Sequence, residues 1–224
     1  MYQPFWMIRG IQRALPDVVF WVDARDSVVA LTLDDGPDDS VTPQVLALLR
    51  QERVRATWFV IGERVQQYPE LLDAIRAGGH EVANHFWDET ATWRLNRQRF
   101  RHEVLRTEAL IHQQSPTRLL RPASGWFRGW ARREAREMGF TLVLGSAYTS
   151  DPAKPPSTYM RWALTRMARP GTIIVLHVGR DRDRTATVLP DLIRGVRAKG
   201  LEFVTVSELL RRRMRSSSGP SDSP

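Results

Sequence analysis

Residues 28–37 read VVALTLDDGP, an apolar run that ends in two aspartates and a Gly-Pro turn. Such a run, bounded by turn residues, is typical of a strand buried in a parallel sheet. Successive side chains of a strand point to opposite faces, so Asp34 and Asp35 can share one site only where the backbone bends. Adjacent carboxylates repel each other unless a cation lies between them. The segment therefore predicts a metal site at a strand end or, as the alternative, a solvated acidic turn.

The rest of the chain repeats the order of short apolar strand and amphipathic helix. This order predicts an α/β fold with a parallel sheet, in its simplest form a distorted (β/α) barrel in a single domain. Functional polar residues of such a barrel gather at the carboxyl ends of its strands. The predicted strands cover residues 18–22, 28–33, 57–61, 81–83, 119–120, 142–144, 173–176 and 203–206, and the predicted helices cover residues 42–52, 69–77, 96–114, 129–138, 158–167 and 188–199.

Composition excludes several classes of function. The chain has 224 residues, which suits one domain, and no cysteine, which excludes disulfide scaffolds, thiolate metal sites and cysteine nucleophiles. Any metal must therefore be bound by histidine and carboxylate. The net charge of +8 comes almost entirely from scattered arginines. The dense run at 211–215 leaves a polyanion-binding protein as an alternative, although we expect no specific nucleic-acid partner.

The two ends of the chain differ from its middle. Residues 1–16 form an amphipathic segment that we expect to rest on the barrel, with contact to a membrane interface as the alternative. Residues 17–212 form the domain, and residues 213–224, which end in a stretch of Ser, Gly and Pro with one Asp, predict a disordered tail. We expect no transmembrane segment, because no apolar run approaches the ~20 residues needed. Without a secretory signal the sequence as written predicts a cytoplasmic location, with peripheral and exported forms as alternatives.

A second group of candidate ligands lies in residues 79–89, GHEVANHFWDE. If a helical turn begins after His85, Glu89 lies one turn further on the same face, where the two side chains can share one metal ion. Asp88 is the competing ligand if that turn is tighter. We expect His80 to cap the preceding turn or to pack in the structure.

Polar residues also follow later strands. Arg121 begins RPASGWF at 121–127, where its planar fork can orient a carboxylate and small residues let the backbone approach a substrate. The alternative is an ordinary salt bridge before a turn. His177 ends the run IIVLH, as a catalytic or a structural histidine, and Asp151 follows the next strand upstream after a loop.

Together these segments resemble the polysaccharide deacetylases of carbohydrate esterase family four, the chitin and peptidoglycan deacetylases. The resemblance covers residues 17–210 and makes 17–212 a catalytic domain. Five segments appear in the order of the family's motifs, namely 32–37, 84–89, 121–125, the loop to Asp151, and Leu176 with His177.

The resemblance implies a role for each strand-end residue. Asp34 is the general base, held by Arg121. His177 is the general acid, steadied by Asp151, whose loop matches the fourth motif only loosely. The backbone amide of Ser124 stabilises the oxyanion.

The resemblance also implies a divalent metal ion, usually Zn²⁺, bound by Asp35 and His85. Glu89 stands where the family usually has a second histidine ligand. A carboxylate is a harder ligand than imidazole, so we expect metal affinity to fall or to shift toward other divalent ions.

The implied substrate is an N-acetylated amino sugar in a chitin- or peptidoglycan-like glycan, hydrolysed to acetate and a free amine. Ser124, Trp126 and Tyr148 lie in the matching loops and are the candidate substrate-binding residues, although the aromatic rings could equally pack in the core. The alternative function is a non-catalytic sugar-binding protein of the same fold with a degraded metal site. The sequence does not predict an oligomeric state.

Overall fold

The computed structural model describes residues 4–112, 117–125, 127–149, 153, 155–179 and 184–217. The strands are β1 (Val18–Val19), β2 (Val28–Asp34), β3 (Thr57–Val60), β4 (Glu81–Asn84), β5 (Arg118–Leu120), β6 (Phe140–Val143), β7 (Ile173–His177) and β8 (Glu202–Val204). The helices are α1 (Phe5–Ala14), α2 (Thr42–Gln51), α3 (Gly62–Gln67), α4 (Pro69–Ala77), α5 (Arg97–Ile111), α6 (Gly129–Glu137), α7 (Ser157–Met167), α8 (Arg184–Arg197) and α9 (Val206–Ser217), with 3-10 helices at Thr92–Arg94 and Ala123–Gly125.

The strands form one parallel sheet in the order β1-β6-β5-β4-β3-β2-β7, and β8 pairs with the first half of β2. The two sides of this sheet meet where Ala147, just after β6, bridges Ile174 of β7. The amide of Val175 donates to the carbonyl oxygen of Ala147 at 2.9 Å. The sheet is thereby closed into a distorted α/β barrel in a single domain, which confirms the predicted fold class.

The alternation of side chains along β2 determines what faces the barrel interior. Val29, Leu31 and Leu33 pack against α2, α7 and α8 outside the sheet. Val28 and Ala30 belong to a second cluster, which is formed by side chains from neighbouring strands and lies inside the barrel. Because alternate residues share a face, Thr32 and Asp34 continue this interior row toward the carboxyl end of the strand. The barrel interior is therefore apolar along the first half of β2 and polar at the carboxyl ends of the strands, which we call the rim.

The N-terminal segment packs on the barrel as α1. Phe5 makes an edge-to-face contact with Trp21 at 5.1 Å between ring centroids, and Ile8 is buried. The Gln12 side-chain amide donates to the carbonyl oxygen of Val18 at 2.8 Å, so this polar residue ties the helix to β1. None of the helices in the described part of the chain is long and apolar enough to cross a membrane.

The C-terminal boundary differs from the prediction. Helix α9 extends to Ser217 and therefore enters residues 213–224, which the sequence analysis assigned to a disordered tail. Arginine is a good helix former, and the buried Leu209 anchors the first turns of this helix, so the arginine run continues it. The short helix α3 was also not predicted. Residues 218–224 lie outside the described residues.

The half-buried His80 predicts a specific pH dependence of stability. Its Nδ1 accepts a hydrogen bond from the amide of Ala56 at 3.2 Å, which requires an unprotonated nitrogen. Burial, with a smaller contribution from Arg55, lowers the pKa of His80 to about 4 from its ordinary 6.5. Between these values the unfolded chain binds the proton and the folded protein does not, so stability falls as the pH falls, by up to about 1.4 kcal/mol per pH unit.

We expect His80→Asn, which keeps an acceptor but does not titrate, to flatten this dependence. The measurement is the free energy of unfolding in urea between pH 4 and 7. His102→Gln, a change at an exposed histidine, is the matched control and should retain the wild-type dependence. An unchanged slope in His80→Asn would contradict the assignment.

Candidate active site

Asp34 and Arg121 form a buried ion pair at the rim of the barrel. Each is 3% exposed, and Nη1 of Arg121 donates to Oδ1 of Asp34 at 2.5 Å. The same nitrogen donates to Oγ1 of Thr32 at 2.7 Å, and Nε donates to the carbonyl oxygen of Val143 at 3.1 Å. The guanidinium carbon lies 3.9 Å from the ring centroid of Phe59. Burial lowers the pKa of Arg121, and the Asp34 carboxylate opposes that shift.

His177 lies beside Asp34 in the sheet. The two residues are register partners in neighbouring parallel strands, so their side chains project from the same face of the sheet. The carbonyl oxygen of His177 accepts a hydrogen bond from Oγ1 of Thr185 at 2.6 Å, which fixes the end of β7 to the start of α8. This arrangement brings a histidine and a carboxylate to one rim.

Asp35 and His85 form a second pair next to the first. The backbone at Asp35 has a φ of 72°, so the chain bends there as the sequence required. His85 Nε2 lies 3.3 Å from Oδ1 of Asp35. His85 Nδ1 lies 2.8 Å from the carbonyl oxygen of Arg121, which can only accept, so we assign the ring proton to Nδ1. A ring nitrogen with a lone pair therefore faces a carboxylate oxygen, and these two atoms suit a divalent cation.

The loop after His85 is fixed by the amino end of α3. The amide of Gly62 donates to the carbonyl oxygen of Phe86, and the amide of Glu63 donates to that of Trp87, both at 2.9 Å. A Cβ at position 62 would lie 2.6 Å from Cε3 of Trp87, so glycine permits this close approach. The contact places the following residues of the loop beside the first turn of α3.

Glu89 is engaged by an arginine of that helix. Its Oε1 accepts from Nη2 of Arg64 at 2.5 Å, and its side chain is 55% exposed. Asp88 accepts from the amide of Thr90 at 2.7 Å. Within the described residues, no group of three His, Cys, Asp or Glu side chains is placed to hold one metal ion. The structure thus joins Asp35 with His85, and it holds both Glu89 and Asp88 in other contacts.

Comparison with known sequences places this arrangement in a family. The sequence model of the polysaccharide deacetylases matches residues 22–143, more than half of the 224-residue chain. The chain belongs to the polysaccharide deacetylase family. The predicted class of enzyme, a polysaccharide deacetylase, is confirmed together with the family. Family membership also indicates a divalent metal cofactor.

Relatives of this deacetylase are similar over most of its length. A peptidoglycan-N-acetylglucosamine deacetylase of Bacillus cereus is 35% identical, over 87% of this chain and 93% of that protein. A chitooligosaccharide deacetylase of Bradyrhizobium sp. is 33% identical, over 81% of this chain and 90% of that protein. The crystal structure of the Bc1960 peptidoglycan N-acetylglucosamine deacetylase has a TM-score of 0.82 at 26% identity and covers 93% of this chain and 97% of its own.

The other residues predicted for the deacetylase site are spread over two loops. Ser124 lies in the 3-10 helix after Arg121, and Tyr148 follows the residue that closes the barrel and is 40% exposed. Trp126 and Asp151 lie outside the described residues, so their predicted roles stay predictions.

Three residues near this rim of the deacetylase have no role predicted from the sequence. Thr32 shares the Arg121 guanidinium with Asp34, and Arg64 contacts the loop of the candidate metal ligands. Thr32 begins the segment 32–37 that resembles a family motif, but a threonine in an apolar strand suggests no role by itself, and Arg64 is one arginine among many. Asp38, which extends the acidic run, accepts a hydrogen bond from the amide of Val41 at 2.7 Å and so caps α2.

Proposed function

We propose that this protein is a metal-dependent hydrolase that removes acetyl groups from amino sugars of a peptidoglycan- or chitin-like glycan and releases acetate. The observation that carries the proposal is the meeting of two pairs at one rim, Arg121 with Asp34 and His85 with Asp35. The relatives named as peptidoglycan and chitooligosaccharide deacetylases support the substrate class.

Asp35 and His85 would hold the divalent ion, with Zn²⁺ as the first candidate. The proton assigned to His85 Nδ1 leaves Nε2 available as a ligand, and the Arg121 carbonyl oxygen orients the ring. When bound, such an ion supplies Lewis-acid polarisation of an amide carbonyl and favours deprotonation of water near neutral pH. Glu89 remains the proposed third protein ligand, and it has to leave Arg64 to act as one.

Asp34 is the proposed general base. Arg121 holds Oδ1 of this carboxylate by a charge-assisted hydrogen bond and so fixes its orientation for accepting the proton of the attacking water. His177 is the proposed general acid, which delivers a proton to the departing amine from the neighbouring strand. Asp151 is proposed to steady His177.

Ser124 and two aromatic rings are proposed to hold the substrate. The backbone amide of Ser124 would donate to the oxyanion that develops on the acetamide. Trp126 and the exposed Tyr148 would stack on sugar rings.

Acetate release from N-acetylglucosamine oligomers, measured with metal content, tests this function. We expect Asp35→Ala to lose bound metal and activity together. His177→Ala should keep the metal and lose acetate release by about 10²–10⁴-fold, the range for a missing proton-transfer group. Full activity in either variant would remove that residue from its role.

The second candidate function is a non-catalytic sugar-binding protein. It is favoured by the contact of Glu89 with Arg64, which leaves two candidate ligands facing each other. Binding of oligomers without acetate release from the wild-type protein, in the presence of added Zn²⁺ or Mn²⁺, would establish this function instead.

A further inference from the structure

Arg64 bridges the two sides of the candidate metal site. Its Nη1 donates to the carbonyl oxygen of Asp35 at 2.5 Å, and its Nη2 donates to Oε1 of Glu89 at 2.5 Å. The guanidinium thus joins a residue of the Asp35–His85 pair to the carboxylate that would complete the ligand set. Glu89 would therefore have to release the Arg64 guanidinium before it could bind a metal ion.

A glycine just after β7 leaves space for this guanidinium. Gly179 follows His177 by two residues, and a Cβ built on it would collide with Nη1 of Arg64. The same Cβ would lie 3.7 Å from Cβ of Asp35, which is an ordinary contact. The absence of a side chain at position 179 therefore lets Arg64 lie between the ends of β2 and β7.

We propose that Arg64 competes with the metal ion for Glu89 and thereby sets the metal affinity of the site. This proposal rests on the proposed function, because it takes Asp35 and His85 as metal ligands. While the ion pair is formed, Glu89 Oε1 is occupied and a fixed positive charge lies beside the site. When the pair opens, the Glu89 carboxylate becomes available as a third metal ligand beside Asp35 and His85. Arg64 is thus a positioning residue, which acts on the metal through Glu89.

The size of the effect follows from the exposure of the pair. The Glu89 side chain is 55% exposed and that of Arg64 is 22% exposed, so the ion pair is screened by solvent. Exposed ion pairs are weak, and competition with one lowers the metal affinity by a factor of up to about five. The site is therefore expected to bind metal reversibly and more weakly than a site with a free third ligand.

Dissociation constants for Zn²⁺ and Mn²⁺, measured by competition with a chromophoric chelator, test the proposal without reference to activity. We expect Arg64→Gln to tighten binding by up to about fivefold in the wild-type background and by much less in the Glu89→Gln background. Gly179→Ala should tighten binding in the same direction, because it displaces the guanidinium without changing the charge. Arg64→Lys, which retains the charge, should restore part of the wild-type value.

Arg212→Gln is the matched control. Arg212 makes an exposed ion pair with Asp26 at 3.1 Å, and Asp26 precedes β2, at the opposite end of the barrel from the site. Its removal changes the net charge by the same amount and should leave the metal dissociation constants unchanged. Circular dichroism of each variant verifies that the fold is retained.

The possible outcomes separate the two proposals. Equal tightening by Arg64→Gln in both backgrounds would mean that only charge matters, and it would overturn the competition. Metal binding that is lost in Asp35→Ala but unaffected by Arg64→Gln would overturn the competition and leave the proposed function standing. Metal binding in no variant would overturn both.

Discussion

Asp34→Asn is expected to lower acetate release by about 10²–10⁴-fold while the protein still binds its metal ion. The carboxamide has the shape of the carboxylate, but it cannot accept the proton of the attacking water. Asn Oδ1 can still accept the hydrogen bond from Arg121, but the buried guanidinium loses its counter-ion, so the free energy of unfolding falls by up to about 3–5 kcal/mol. Activity should therefore fall far more than the folded fraction does.

The measurement is the initial rate of acetate release at a temperature where both proteins are folded, with metal content determined on the same samples. Asp38→Asn is the matched control, because Asp38 is also buried but caps α2. It should retain activity. If Asp34→Asn lost its metal in proportion to its activity, Asp34 would be a ligand and the assignment as base would be wrong.

Arg121→Met is expected to destabilise the protein by about 3–5 kcal/mol. The change leaves the Asp34 carboxylate buried without its partner. It also removes the hydrogen bonds to Thr32 and Val143 and the contact with the ring of Phe59. Methionine fills much of the volume of the arginine stem. The loss in the free energy of unfolding therefore comes from the missing charge and hydrogen bonds more than from a cavity.

Urea denaturation of the single and double variants separates these contributions. Because removing both charges leaves no unpaired ion, adding Asp34→Asn to Arg121→Met should recover part of the lost stability. Additive losses would show that the two residues act independently, in conflict with the 2.5 Å contact between them.

The barrel could be predicted from sequence because its strands carry strong local patterns. Residues 28–33 are apolar without interruption, and a turn follows, so β2 and its end at the aspartates were placed within one residue of the observed Asp34. The meeting of the aspartates, His85, Arg121 and His177 at one rim was predictable, because each directly follows or ends a strand and parallel strands bring such residues to one end of a barrel.

Contacts between distant segments were beyond sequence analysis. Arg64 lies 29 residues from Asp35 and 25 from Glu89, and its pattern is that of any arginine on a helix. The orientation of Glu89 depends on how the loop docks on α3, through backbone hydrogen bonds that side-chain identity does not specify. The prediction placed Glu89 on the face of His85 on the condition that a helical turn begins after His85. Residues 86–89 are not helical in the structure, and Glu89 contacts Arg64 instead.

The apolar interior beneath Thr32 and Asp34 has a consequence for how the rim responds to dissolved ions. The apolar side chains inside the barrel cover the Arg121–Asp34 pair on its interior side, and both residues are buried. Counterions therefore screen this pair little. The pair of Arg64 and Glu89, open to solvent, is screened as salt is added. Ionic strength is therefore a means of loosening one pair while the other stays intact, although the two are neighbours on the same rim.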